Sequence, residues 1–288
     1  MPIAVVPPPF FRDHHVQRRP VFPAVEAMER LSDDIRARFP DCDIRRLSEL
    51  RFDKFLYLDD AAPVTAVNRV TDNGDGSLRT ALATRFTAPG ARISRCLEHA
   101  AMTLGRPVPP PAPPPLERAA TLAGVCTAVD PERIYTQLVP FGPAYRNISA
   151  DLLISGDGAL ARVGSPRPMD PRTDLALGSP YVLDAAFHAA CVWCQRYRGC
   201  VAFPVFMAQR TILRPTRLDG TYTARVMPVK TDEPPFVFDI FIYDDRGRLC
   251  ESAGGVAMRD VSGGRNRPPE GFFQPRTADS LEALAARV

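Results

Sequence analysis

The chain has 288 residues, 45% of them hydrophobic and 24% charged, with 36 basic against 33 acidic side chains and a net charge of +3. This composition is that of a globular protein able to bury a substantial core; it excludes a disordered chain, and the dispersed, nearly balanced charge excludes the basic stripe of a nucleic-acid binder. No run approaches the roughly 18 apolar residues of a membrane span, and the start MPIAVVPPPFF lacks the basic-then-apolar order of a secretory leader, so a cytoplasmic protein is expected.

In chain order, VVPPPFF predicts an extended lead-in whose aromatic residues cover the first sheet. Pro23 then opens an amphipathic helix to about residue 39, with Val25, Met28, Leu31, Ile35 and Phe39 on one face. Segments rich in β-formers follow at 52–58, 64–70 and 78–86, the last two joined by the turn sequence Asn73-Gly74-Asp75-Gly76. The proline run RPVPPPAPPP, residues 106–115, can neither donate to a ladder nor continue a helix, and it predicts a stiff connector.

Beyond the connector the plan repeats. Strands are predicted at 148–153 and 159–163, a helix at 182–197, and strands at 211–213, 222–229, 236–243 and 249–258, with Asp244 to Gly247 as a hairpin turn. One long helix against an antiparallel sheet in each half is α+β packing. The expected units are 1–105, a connector at 106–117, 118–261, and a tail at 262–288 rich in glycine, proline and charge that ends in a short helix at 281–288. The 7 cysteines are scattered through apolar segments and predict free thiols; Cys191 and Cys194 form a CxxC inside a predicted helix with no second ligand pair, which argues against a metal.

Two segments carry the chemistry. DHHVQRRPVFPAVEAM places His14 nine residues before Pro23, and SPYVLDAAFHAA places Asp184 four residues before His188. Between them lies Phe141-Gly142-Pro143-Ala144-Tyr145. In this order the three segments resemble the HxxxGxxxxP, YGPxF and LDAAxQ/H motifs of the dehydratase domains of polyketide and polyunsaturated fatty acid synthases. The resemblance runs from about Phe10 to about Val261, with Phe203-Pro204-Val205 at a strand entry.

The resemblance implies a double hotdog, two antiparallel sheets each wrapped around a long helix, acting on β-hydroxyacyl thioesters. The substrate would ride on the phosphopantetheine arm of an acyl carrier protein, with no metal or nucleotide cofactor, and the protein would form a homodimer. His14 would be the base, since a dry pocket favours neutral imidazole. Asp184 would be the acid, provided that its apolar neighbours raise its pKa, and His188, one turn on, would orient it. Pro23, Ala24 and Val25 would present the first free amides of a helix to the thioester carbonyl. Gly142, Pro143 and Tyr145 would shape the pocket.

The residues leave alternatives open. His15 competes with His14 as the base, Asp184 competes as a helix cap or buried structural acid, and Tyr145 competes as a packing residue. Arg18 and Arg19 are candidate contacts for a pantetheine phosphate, but exposed arginines are more often solvated. The chain also departs from the motifs: Arg18 and Ala24 replace glycines and Phe141 replaces a tyrosine. The same couple on the same fold would serve a double-bond isomerase or a cyclase, and a blocked channel would leave an acyl-binding scaffold.

Overall fold

The computed structural model describes residues 2–5, 7–58, 64–87, 94–106, 108–164, 172 and 174–274. The first half contains β1 (Pro2–Val5), a 3-10 turn at Pro9–Asp13, a small hairpin of β2 (His15–Val16) and β3 (Arg19–Pro20), helix α1 (Ala24–Arg38), and strands β4 (Arg46–Arg51), β5 (Val64–Asp72), β6 (Leu78–Thr87) and β7 (Ser94–Leu104). The second half starts with the short helix α2 (Leu116–Ala119), β8 (Thr127–Val129), the turn α3 (Pro131–Arg133) and a wide π turn at Ile134–Leu138. It continues with β9 (Leu152–Ser155), β10 (Gly158–Gly164), helix α4 (Pro180–Arg198), β11 (Phe203–Ile212), β12 (Thr221–Lys230), β13 (Phe236–Asp244) and β14 (Leu249–Arg259).

Among the described residues, twelve strands form one sheet in the order β1-β5-β6-β7-β4-β11-β14-β13-β12-β10-β9-β8. Each half therefore contributes a block of antiparallel strands, and the blocks join edge to edge where β4 pairs with β11, with Leu50 opposite Met207 and Ser48 opposite Gln209. This junction closes an edge that each half would otherwise expose. It also sets the two long helices side by side, α1 on one block and α4 on the other, in direct contact.

Proline opens both helices, because its fixed φ suits the first turn and its missing N–H is one that the turn leaves unpaired in any case. Pro23 caps α1, Pro180 begins α4, and Gly199 at φ +64 closes α4 in the left-handed region. From Pro180 to Gln195 every residue of α4 is buried. Ala185, Ala186, Ala189 and Ala190 keep that helix slim against β10, and the Trp193 indole N–H donates to the Ser155 carbonyl at 2.8 Å, which anchors it to β9.

Charged groups beneath and beside α1 fix its position. Arg210 of β11 and Glu251 of β14 form a buried bidentate pair at 2.8 and 3.0 Å, and the Arg210 guanidinium reaches Met28 Sδ at 3.8 Å. Glu26 receives Arg172 at 2.7 and 2.8 Å. Glu29 accepts from the backbone N–H of Leu177 at 3.0 Å and from that of Ala176, and burial pushes its carboxyl up to about 7. Two glutamates of the first half thus hold the chain that enters α4.

The main elements fall where hydrophobic period and turn residues predict them, with instructive differences. The strand predicted at 52–58 is irregular apart from a bridge between Tyr57 and Val21; the adjoining strand is Arg46–Arg51 instead. Its apolar residues serve a cavity wall rather than a sheet. The strand predicted at 148–153 lies at Leu152–Ser155, because Ile148 makes only an isolated bridge to Val163. Strand β7 carried no prediction, and β11 begins at Phe203, well before the predicted 211. Residues 108–115 of the proline connector form neither helix nor strand, and the Pro111 ring fills the space that a side chain at Gly254 would need. Phe10 and Phe11 are buried, but the lead-in expected to be extended over the first sheet is a 3-10 turn here, and it packs against β3 and the turn at Pro143–Tyr145, with Phe11 edge-on to Phe22. The helix predicted at 281–288 lies outside the described residues.

The β2–β3 hairpin has a two-residue turn in which Gln17 and Arg18 sit at φ +52 and +66. Such turns favour glycine or asparagine, since a side chain in this region costs about 1–2 kcal/mol. Arg18→Gly relieves that cost but adds about 0.5–1 kcal/mol of chain entropy to lose on folding. The expected net is a gain of about 0.5–1 kcal/mol, read as a higher denaturant midpoint at unchanged slope.

Candidate active site

His14 ends the 3-10 turn Pro9–Asp13 and enters the hairpin in an extended conformation. Its Nδ1 lies 3.2 Å from the Val21 carbonyl. A carbonyl only accepts, so Nδ1 carries the proton and Nε2 keeps its lone pair. Asp13 secures the segment from the other side: its carboxylate accepts from the Ala144 N–H at 2.8 Å and its own carbonyl accepts from the Gly142 N–H at 2.8 Å. A side chain at Gly142 would collide with the Asp13 side chain, so glycine is required here for close approach. Asp13 was not anticipated from the sequence, although it is the acidic residue next to the candidate base.

Asp184 is the fifth residue of α4, past the capping position held by Ser179, and it is therefore not a cap. The spacing of four puts His188 on the same face, with His188 Nε2 at 3.0 Å from Asp184 Oδ2. The two atoms are close but not aligned as a hydrogen bond, and neither has another hydrogen-bond partner. On its other side Asp184 Oδ1 is 3.8 Å from His14 Nε2, too far for a direct hydrogen bond, so both atoms remain able to engage a ligand. Phe141 covers this junction, its ring 4.5 Å from that of His14 and 5.0 Å from that of His188.

The cavity's dryness sets the protonation states. Desolvation lowers His14 to about 4, against an opposing pull from the Asp184 charge, so the ring is neutral at physiological pH. For Asp184 burial pushes upward, but the neighbouring His188 and His14 imidazoles together outweigh burial and hold the carboxyl below its ordinary value. Burial alone therefore does not keep a proton on Asp184, contrary to the sequence-based expectation.

His14, Asp184 and His188 open onto a cavity of about 670 Å³. One wall comes from α1 and the hairpin, with Val16, Phe22 and Ala24; another comes from the irregular segment, with Phe52, Phe55 and Tyr57. Asp53, Lys54, Arg259 and Asp260 add charge to this largely apolar lining, His99 adds a further imidazole, and the Arg19 guanidinium lies 3.7 Å over the ring of Tyr57. Of the predicted binding residues, Ala24 lines the cavity; Pro23, Val25, Gly142, Pro143 and Tyr145 do not, and stand behind the wall. Tyr145 packs against His14 with ring centres 5.1 Å apart, which favours the packing reading. His15 is absent from the lining, which leaves His14 as the histidine at the junction. Pro23 offers α1 no side-chain cap, so the Ala24 and Val25 amides have no intrahelical acceptor.

Cys191 and Cys194 are buried in α4, where burial raises the first thiol to about 12 and the second well above its ordinary range. They are protonated packing residues rather than reactive thiolates. No group of three side chains able to hold a metal ion occurs among the described residues, and none of the described helices is long and apolar enough to cross a membrane.

The model of the polyketide synthase dehydratase N-terminal domain family (PS-DH) matches residues 113–268, more than half of the chain. No curated protein matches. Solved structures share the fold: the dehydratase domain from the CurJ module of curacin polyketide synthase superposes with a TM-score of 0.69 at 18% identity, covering 87% of this chain and 86% of that one. The bifunctional dehydratase-cyclase domain in ambruticin biosynthesis gives 0.67 at 22% identity, covering 90% and 89%. The dehydratase domain of RzxB from Pseudomonas fluorescens gives 0.61 at 19% identity, covering 84% and 86%. The sheet joined through β4 and β11 is thus a double hotdog, and the chain belongs to the polyketide synthase dehydratase family.

Proposed function

We propose that this chain removes water from β-hydroxyacyl thioesters presented on the phosphopantetheine arm of an acyl carrier protein. The observation that carries the reading is the approach of His14 Nε2 and Asp184 Oδ1, from different halves, to 3.8 Å at the wall of an apolar cavity. Membership of the family supports it. His14 Nε2, left bare because burial keeps the ring neutral and the Val21 carbonyl holds its one proton on Nδ1, takes the proton from the carbon next to the thioester carbonyl. The C–O bond at the β-carbon breaks, Asp184 delivers a proton to the departing hydroxyl, and water and a 2,3-enoyl thioester result. One proton enters the site and one leaves it, so return of the His14 proton to Asp184, directly or through solvent, restores the starting state.

The low carboxyl pKa has a use in this scheme. An acid whose conjugate base is steadied by the neighbouring His188 gives up its proton more readily. The unpaired amides at the start of α1, near Ala24 in the cavity wall, face the charge that develops on the thioester oxygen.

Turnover of a 3-hydroxyacyl pantetheine thioester, followed by mass spectrometry as loss of water, tests the reading. His14→Ala and Asp184→Asn each lower kcat by about 10²–10⁴, the usual worth of a positioned acid or base; acyl binding without water loss in the unsubstituted chain would reject a dehydratase. The pH profile has a defined sign. Because His14 stays unprotonated down to about 4, the acidic limb of kcat/KM lies well below 6.5, with activity lost as the pH falls toward 4. A limb centred near 6.5 would show a solvated, differently placed base.

A further inference from the structure

We infer that Tyr135 is a positioning residue that fixes the proton of His188 on the nitrogen facing Asp184. Tyr135 lies in the wide turn Ile134–Leu138, far from α4 in sequence, and it is buried. Its hydroxyl oxygen accepts from the backbone N–H groups of Asn147 and Ile148, both at 2.9 Å. A hydroxyl has two acceptor sites and one proton. With both acceptor sites filled, what remains is the O–H, and the next polar atom is His188 Nδ1 at 3.4 Å.

The direction of that contact follows by counting. Tyr135 donates and Nδ1 accepts, so Nδ1 has no proton of its own and the imidazole N–H is on Nε2, 3.0 Å from Asp184 Oδ2. The rings of Tyr135 and His188 meet edge to face with centres 5.8 Å apart, which further limits rotation of the imidazole. Two rigid backbone amides of the segment after Tyr145 thus orient a hydroxyl, the hydroxyl selects a tautomer, and the tautomer gives Asp184 a donor when its carboxylate forms. The 3.4 Å contact is long for an O–H donor. Tyr135 lies outside the cavity lining and touches no reacting atom.

The role in turnover rests on the dehydratase reading, whereas the tautomer does not, and the test uses both. The full chain labelled with ¹⁵N-histidine has 4 imidazoles to resolve, and His188→Gln identifies the signals of His188. In the unsubstituted chain His188 is expected to show a protonated Nε2 and an unprotonated Nδ1. Tyr135→Phe is expected to bring the two tautomers into exchange and to lower kcat on the order of tenfold, the worth of one hydrogen bond, with KM nearly unchanged.

A protonated Nδ1 in the unsubstituted chain overturns the proposal with no variant needed, which keeps it open to refutation even if Tyr135→Phe folds poorly. So does a folded Tyr135→Phe chain that retains both the tautomer and kcat. Failure of the dehydratase reading has another signature, absence of turnover in a chain whose His188 spectrum is as expected.

Discussion

The pairing of β4 with β11 is the constraint on which the rest depends. Each half offers a catalytically incomplete set: the first has a histidine on a tight hairpin beside a helix start, the second a buried aspartate and histidine on a helix. Joining the blocks along one strand pair places α1 against α4 and brings His14 to Asp184. The salt bridge from Arg172 to Glu26 and the amides of Ala176 and Leu177 on Glu29 reinforce that placement, since they bind the entry of α4 to α1. The backbone of both halves, more than any single side chain contact, sets the working distance.

A second determinant is the electrostatic balance in a dry cavity. Burial strips water from His14 and favours the neutral ring, which is the form a base requires. The same burial would keep a proton on an isolated Asp184, but two imidazoles within 4 Å reverse the direction. Acid and base are therefore properties of the set of three groups. Around them the polar contacts run outward to backbone: His14 to the Val21 carbonyl, Asp13 to the amides of residues 142 and 144, and Tyr135 to the amides of Asn147 and Ile148. Backbone partners cannot rotate away, and this preorganises the site.

Much of this was legible in the sequence, and the reason differs by element. The helix from Pro23 and the helix carrying Asp184 declare themselves through proline starts and apolar spacing, and the four-residue offset of Asp184 and His188 fixes a shared face. The hairpin turns at Asn73–Gly76 and Asp244–Gly247 follow from residues that tolerate positive φ. What was not legible depends on long-range packing. Residues 52–58 have strand composition, yet hydrogen bonds from Phe22 to Leu56 and from Leu58 to Pro20 draw them to the hairpin, where their aromatic rings line the cavity. Tyr145 carries the motif position but faces the core, and its buried hydroxyl finds no partner. Tyr135 has no local signal at all: its importance arises from a residue 53 positions away. The positive φ at Arg18, by contrast, was foreseeable from the glycine that the motif has there, and the chain tolerates the cost.

In the proposed reaction labour is divided across the two halves, with His14 handling the carbon-bound proton and Asp184 the hydroxyl. Hydration in the reverse direction tests it most directly: a 2,3-enoyl pantetheine thioester is incubated with the protein in D₂O, and deuterium at the carbon next to the carbonyl is measured by mass spectrometry. One deuterium is expected at that carbon in the hydrated product of the unsubstituted chain, and none above background with His14→Ala. Equal incorporation by His14→Ala would contradict it, because the proton at carbon would then be handled by another group.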